Sequence, residues 1–122
     1  MHERSLVAGL LAEVDRLVAE HAPARATHVT VSVGAFSGVD ADLFHAAFEE
    51  MSLETQHRGA KLSVERVGLE ATCEDCGHEF EVEQFRFRCP KCHRTKTTII
   101  RGEALMLERV TIEPLLESVE NE

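Results

Sequence analysis

Residues 73–92 read CEDCGHEFEVEQFRFRCPKC: two Cys-x-x-Cys pairs, Cys73/Cys76 and Cys89/Cys92, with twelve residues between them. Each pair makes a knuckle whose two sulfurs point at one spot. The twelve intervening residues, 77 to 88, are enough for a short hairpin that brings the knuckles face to face. Four thiolates then enclose one tetrahedral ion, for which Zn²⁺ is the default guest. The chain has four cysteines in all, so the set is complete. With no spare thiolate and no open coordination position, such a site is structural rather than catalytic. Two disulfides are the weaker alternative, because nothing in the sequence suggests an oxidising compartment. A redox dithiol is an equally weak alternative, because two copies at ribbon spacing favour a metal.

Upstream of the cysteines, Leu6, Leu10, Val14, Leu17 and Val18 recur at helical spacing, and Ala22-Pro23 ends that helix. Val29, Val31 and Val33 alternate with Thr30 and Ser32, the pattern of a half-buried strand. Asp40 is placed to cap a second helix whose apolar face carries Leu43, Phe44, Ala47, Phe48 and Met51. A second strand begins near Lys61. Its apolar residues change parity between Leu62/Val64 and Val67/Leu69/Ala71, which predicts a β-bulge near Arg66. The last strand breaks in the same way, between Leu105/Leu107 and Val110/Ile112, which predicts an irregularity near Arg109. The second and last strands are expected to pair antiparallel.

The expected fold class is therefore α+β: two helices packed on a three-stranded, mainly antiparallel sheet, with an inserted zinc-ribbon domain built on the four cysteines. The expected domains are 1–72 plus 99–113 as a discontinuous α/β domain, 73–98 as the zinc ribbon, and 114–122 as an acidic tail.

The 122 residues are 43% hydrophobic, enough for a core, and contain neither Trp nor Tyr, so Phe, Leu, Val and Ile must fill it. No basic leader with an apolar run opens the chain, and no stretch is long and apolar enough to span a bilayer, so a cytoplasmic protein without membrane insertion is expected. The formal net charge is −9. Nucleic-acid binding needs clustered cations. Arg86, Arg88, Lys91, Arg94 and Lys96 do cluster, but on an acidic chain they suit an acidic protein surface better than nucleic acid. No GxSxG nucleophile motif, phosphate loop or dinucleotide fingerprint is present, so no catalytic residue is assigned and no enzyme is expected.

The chain opens Met1-His2-Glu3. A free α-amine, the deprotonated His2 amide and the His2 imidazole can close two fused chelate rings in one plane. The backbone nitrogen or the carboxylate of Glu3 would complete a four-coordinate site. Planar nitrogen donors suit Ni²⁺ or Cu²⁺ more than Zn²⁺, and affinity should rise with pH as the donors lose protons. His78 and His93 flank the knuckles and read as neighbours of the zinc site, since four thiolates already complete the tetrahedron; the alternative is that one or both swap with a thiolate as pH or nickel loading changes. His45 is expected on the second helix, partly buried or at the surface. His21, His28 and His57 are expected near element ends, in solvent.

Taken together, the Met-His-Glu start, the first helix, the turn Phe36-Ser37-Gly38-Val39-Asp40, the two CxxC pairs and a final strand opening with Gly102-Glu103 resemble the hydrogenase nickel-insertion accessory family (HypA/HybF) over roughly residues 1 to 113. The resemblance implies a small nickel metallochaperone. It implies structural zinc on Cys73, Cys76, Cys89 and Cys92, and transferred Ni(II) on the Met1 amine, His2 and the start of Glu3. It implies cooperation with a nickel-handling GTPase and delivery to the [NiFe]-hydrogenase large subunit. Some family members also serve urease and its accessory proteins. The alternatives from the residues alone are a zinc-ribbon nucleic-acid-binding module and a zinc-held protein scaffold without a nickel role.

Overall fold

A computed structural model describes residues 3–115 of the chain. In order, the elements are α1 (Glu3–Ala19), β1 (Ala24–Gly34), α2 (Ala41–Ser52), β2 (Lys61–Val67), β3 (Glu70–Cys73), β4 (Glu79–Glu81), β5 (Thr97–Arg101) and β6 (Leu105–Pro114). They form two three-stranded sheets, ordered β2-β1-β6 and β4-β3-β5. Among the described residues, no helix is long and apolar enough to cross a membrane. The chain divides into two compact units. One comprises residues 1–31, 40–64 and 107–122; the other comprises residues 32–39 and 65–106.

In the first unit, α1 buries Val7, Leu10, Leu11, Val14 and Val18. This stripe is rotated from the expected one, leaving Leu6 and Leu17 at its half-buried margins. The helix stops at Ala19, ahead of Pro23. In α2, Ala41, Phe44, Ala47, Phe48 and Ser52 are buried, while Leu43 is exposed. Asp40 is the N-cap: its Oδ1 accepts from the N–H groups of Asp42 and Leu43, both at 3.0 Å. It thereby satisfies two of the donors that a helix start leaves without partners. Phe44, Phe48, Val7, Val14, Val29 and Val31 are the large, fully buried apolar side chains of this core.

Two expectations about the strands are corrected. β2 and β6 do not pair with each other; they flank β1 on opposite sides. β1 carries the densest run of buried positions and so takes the central place. Nor is there one long second strand. β2 ends at Val67, Gly68 and Leu69 break the run, and β3 starts a new sheet at Glu70. A register shift does occur further on, between Glu70 and Ala71, where β3 pairs with β5. At the ends of β6, Gly34 N–H donates to the Ala104 carbonyl and Leu115 N–H to the Pro23 carbonyl. Leu105, Leu107, Val110 and Ile112 are the half-buried positions of the strand, so burial changes parity between Leu107 and Val110.

The second unit is built on antiparallel pairing of β3 with both β4 and β5. Three glycines meet beside it. A Cβ on Gly34 would lie 2.3 Å from the Gly102 carbonyl carbon, and one on Gly102 would lie 2.4 Å from the Gly68 oxygen. Gly102 also has φ +93°, a conformation that side chains resist. This close approach allows Phe36 N–H to donate to Gly102 O at 2.8 Å and Ala35 N–H to Val67 O at 3.0 Å. Few apolar side chains are buried here: chiefly Val33, Leu69 and Ala71, with Cys73 and Cys89. So small a core needs another source of stability.

Candidate metal centre

The four cysteines converge. Their sulfurs all lie within 4.8 Å of one another, with Cys73 Sγ to Cys92 Sγ at 3.5 Å and Cys76 Sγ to Cys89 Sγ at 3.6 Å. A tetrahedral ion with bonds near 2.3 Å needs sulfur–sulfur edges of about 3.8 Å. The pairs in contact join opposite knuckles, so the site closes only when both knuckles are in place.

The knuckles share one hydrogen-bond pattern. Gly77 N–H donates to Cys73 O at 2.9 Å, and His93 N–H to Cys89 O at 2.8 Å. Cys73 N–H donates to His78 O and Cys89 N–H to Arg94 O, both at 2.9 Å. The residue after each second cysteine is left-handed, Gly77 at φ +79° and His93 at φ +66°. His93 thus fills the backbone position that glycine fills in the first knuckle.

Backbone donors then point at sulfur. Cys76 N–H donates to Cys73 Sγ at 3.5 Å, while Lys91 and Cys92 donate to Cys89 Sγ at 3.3 and 3.5 Å. The Cys76 N–H holds the Cys73 thiol below its ordinary value. Burial pushes the Cys89 thiol up, but the N–H groups of Cys92 and Lys91 outweigh it and bring the thiol down to about 7. The second cysteine of each knuckle moves the other way. Against the pull of the His78 N–H, burial and the neighbouring Cys89 and Cys73 push Cys76 up. Against the pull of the Arg94 N–H, burial and Cys73, Cys76 and Cys89 push Cys92 up to about 12. Four crowded sulfurs cannot all ionise without a cation, and a soft dication among them removes that conflict. The donor set and spacing fit Zn²⁺ with all four positions filled by sulfur.

The histidines separate clearly. The His78 ring stacks on Phe80 at 6.2 Å, and His93 serves through its backbone. His45 is half-buried, with Nδ1 3.8 Å from Glu49. His21 is exposed. His28, expected near an element end, lies within β1, half-buried, with Nε2 2.7 Å from Ser63 Oγ. His57, expected in solvent, is 1% exposed. Its Nε2 contacts Asp15 Oδ1, its Nδ1 has no protein partner, and Gln56 Nε2 also donates to Asp15 Oδ1 at 3.0 Å. Asp15 and His57 are 42 residues apart, so no local pattern announces the pair.

Of the N-terminal group, Met1 and His2 lie outside the described residues. Glu3 opens α1 and is buried, and its Oε2 accepts from Asp40 N–H at 3.0 Å. The positive chain terminus and the Asp40 N–H, in that order, hold its carboxyl down to about 2. The Glu3 side chain therefore ties the start of α1 to the cap of α2.

Fold and site define a small α+β protein with a four-cysteine centre of zinc-ribbon type. Comparison with known proteins makes this more particular. The family model for hydrogenase/urease nickel incorporation, metallochaperone, HypA, matches residues 1–112. The hydrogenase maturation factor HypA of Aquifex aeolicus is 35% identical over 113 residues, covering 93% of this chain and 98% of that protein. Its counterpart from Helicobacter hepaticus is 34% identical over 109 residues, covering 88% and 92%. The solution structure of the Ni metallochaperone HypA from Helicobacter pylori superposes with a TM-score of 0.67 at 29% identity, covering 90% of this chain and 96% of that one. The chain belongs to the HypA family of nickel metallochaperones for hydrogenase/urease nickel incorporation.

Proposed function

We propose that this chain binds Ni(II) at its N-terminus and passes it, with a partner GTPase, to the [NiFe]-hydrogenase large subunit during maturation. The observation that carries this reading is the family match from residue 1 through residue 112, which includes Met1-His2-Glu3. Nickel is cargo here, so its donors must release it. The Met1 amine and the His2 amide and imidazole supply the planar nitrogens, and Glu3 supplies its backbone nitrogen. The Glu3 carboxylate is engaged with Asp40 and serves to anchor the chelating residues to the helices. Residues 1–72 with 99–113 act as the nickel-binding domain. Residues 73–98 act as a zinc-held element that docks on protein partners.

The test is a calorimetric titration of Ni²⁺ into tag-free, zinc-loaded protein beside His2→Ala. Stoichiometric binding that vanishes in the variant, with zinc retained, is the expected result. Equal binding in both, or none in either, removes the N-terminal nickel site. Binding of the GTPase and of the large-subunit precursor is then measured separately with the same two proteins.

A further inference from the structure

Within the second unit, the chain after β4 makes a tight turn, closed by Arg86 N–H donating to Glu83 O at 3.0 Å. Both central residues have positive φ, Gln84 at 54° and Phe85 at 59°. Turns of this kind favour Asn-Gly, because two successive left-handed residues strain any side chain with a Cβ. Here the second position is phenylalanine, a residue 69% exposed. It meets a second exposed ring, Phe36, with centroids 5.1 Å apart and planes at 34°. Beneath the pair lies a cleft of about 250 Å³ lined by Ala35, Phe36, Gly68, Leu69, Val82 and Phe85. Neither the fold nor the metal site explains why a strained turn should present an aromatic ring to water. Strain of this sort marks positions kept for recognition.

Charge points to the occupant: next to the cleft, across Gln84, Arg86 and Arg88 line a second hollow whose own acids are Glu81 and Glu83, and beyond them the chain turns basic. From Phe85 to Arg101 the chain carries Arg86, Arg88, Lys91, Arg94, Lys96 and Arg101 and no acidic residue, although the whole chain has 22 acids against 13 bases. Among the described residues none of these six cations is in an ion pair; Arg88 donates instead to the His93 carbonyl at 3.1 Å. Arg86 directly follows the exposed ring.

We infer that the Phe36–Phe85 pair and the cations beginning at Arg86 form a docking surface for an acidic protein segment that inserts an aliphatic side chain into the cleft. Carboxylates flanking the inserted side chain meet Arg86 and Arg88, and the rings supply the apolar anchor. The inference rests on the reading of the ribbon as a docking element and is independent of where nickel binds.

The experiment follows amide resonances of isotope-labelled, zinc-loaded full chain titrated with an acetylated peptide alternating leucine and glutamate. Controls replace glutamate with lysine, replace leucine with serine, or use an oligothymidylate. Shifts centred on Phe36, Leu69, Val82 and Phe85, seen with the leucine–glutamate peptide and weakened about tenfold or more in Phe85→Gly and in Arg86→Glu/Arg88→Glu, support the surface. Phe85→Gly relieves the turn, so its ribbon should hold zinc at least as well as the parent; loss of binding then comes from the ring and not from misfolding. Equal shifts with the lysine peptide, stronger binding of the oligonucleotide, or self-association abolished by Phe85→Gly would each overturn the assignment, as would no shifts at all. Peptide binding without nickel binding would refute the nickel reading alone. Nickel binding without peptide binding would refute this surface alone.

Discussion

His57 shows how much one side chain can depend on a distant partner. It is 1% exposed and held by Asp15 across 42 residues of sequence. His57→Ala removes a buried ring and leaves a cavity, so stability should fall by about 2–4 kcal/mol in chemical denaturation of the zinc-loaded protein. A loss below the effect of an ordinary surface substitution would contradict its place in the core. Glu3 gives a pH prediction. Its folded value, about 2, lies below the ordinary carboxyl value of 4.5. The stabilisation is therefore fully present above about pH 4.5 and is lost as pH falls towards 2. Glu3→Gln should abolish this component: denaturation midpoints of parent and variant converge as the solution is acidified across that window. A constant gap would show that the carboxylate's charge plays no part.

Elements are where the knuckles and the glycine junction act. The two knuckles have matching hydrogen bonds, yet one uses Gly77 and the other His93 at the left-handed position. His93→Gly should remove strain and raise the ribbon's stability by about 1 kcal/mol, read as greater resistance to zinc extraction by a chelator. If the His93 ring were a zinc ligand, the same variant would release zinc faster. At the junction, Gly102→Ala places a methyl 2.4 Å from the Gly68 carbonyl oxygen at a positive φ, and the atoms it meets are backbone. It should cost at least about 3 kcal/mol, seen as lost amide protection across β3 and β5. Wild-type protection in that variant would mean that the three segments have room to separate.

For the whole molecule, the division into two units sets the expected response to metal removal. The first unit has a core of Phe, Val and Leu side chains, whereas the second buries little besides its cysteines. Chelating zinc should therefore erase hydrogen-exchange protection in β3, β4 and β5 and leave α1 and α2 protected. Uniform loss throughout the chain would show that the two units fold as one. On the proposed N-terminal nickel site, added nickel should leave zinc content unchanged, because planar nitrogen donors and four sulfurs suit different ions.

The local features were legible because their signals are local. Two CxxC pairs announce four converging sulfurs, the Asp40 cap and helix periodicity announce α2, and Val29, Val31 and Val33 announce β1. Each rests on spacing within a few residues, where chain geometry leaves few choices. A parity change at residues 64–67 was also visible, but its meaning was not. Only the placement of β3 beside β4 and β5 shows that the apolar run past it belongs to another sheet. The same holds for the order β2-β1-β6, the Asp15–His57 contact, the Glu3–Asp40 link and the approach of Gly34, Gly68 and Gly102. Spacing along the chain thus foretold that the four cysteines converge and which segments are helices and strands. Which strands are neighbours, which histidine is buried and which phenylalanine faces water were settled by packing, because they depend on contacts between segments that no local spacing encodes.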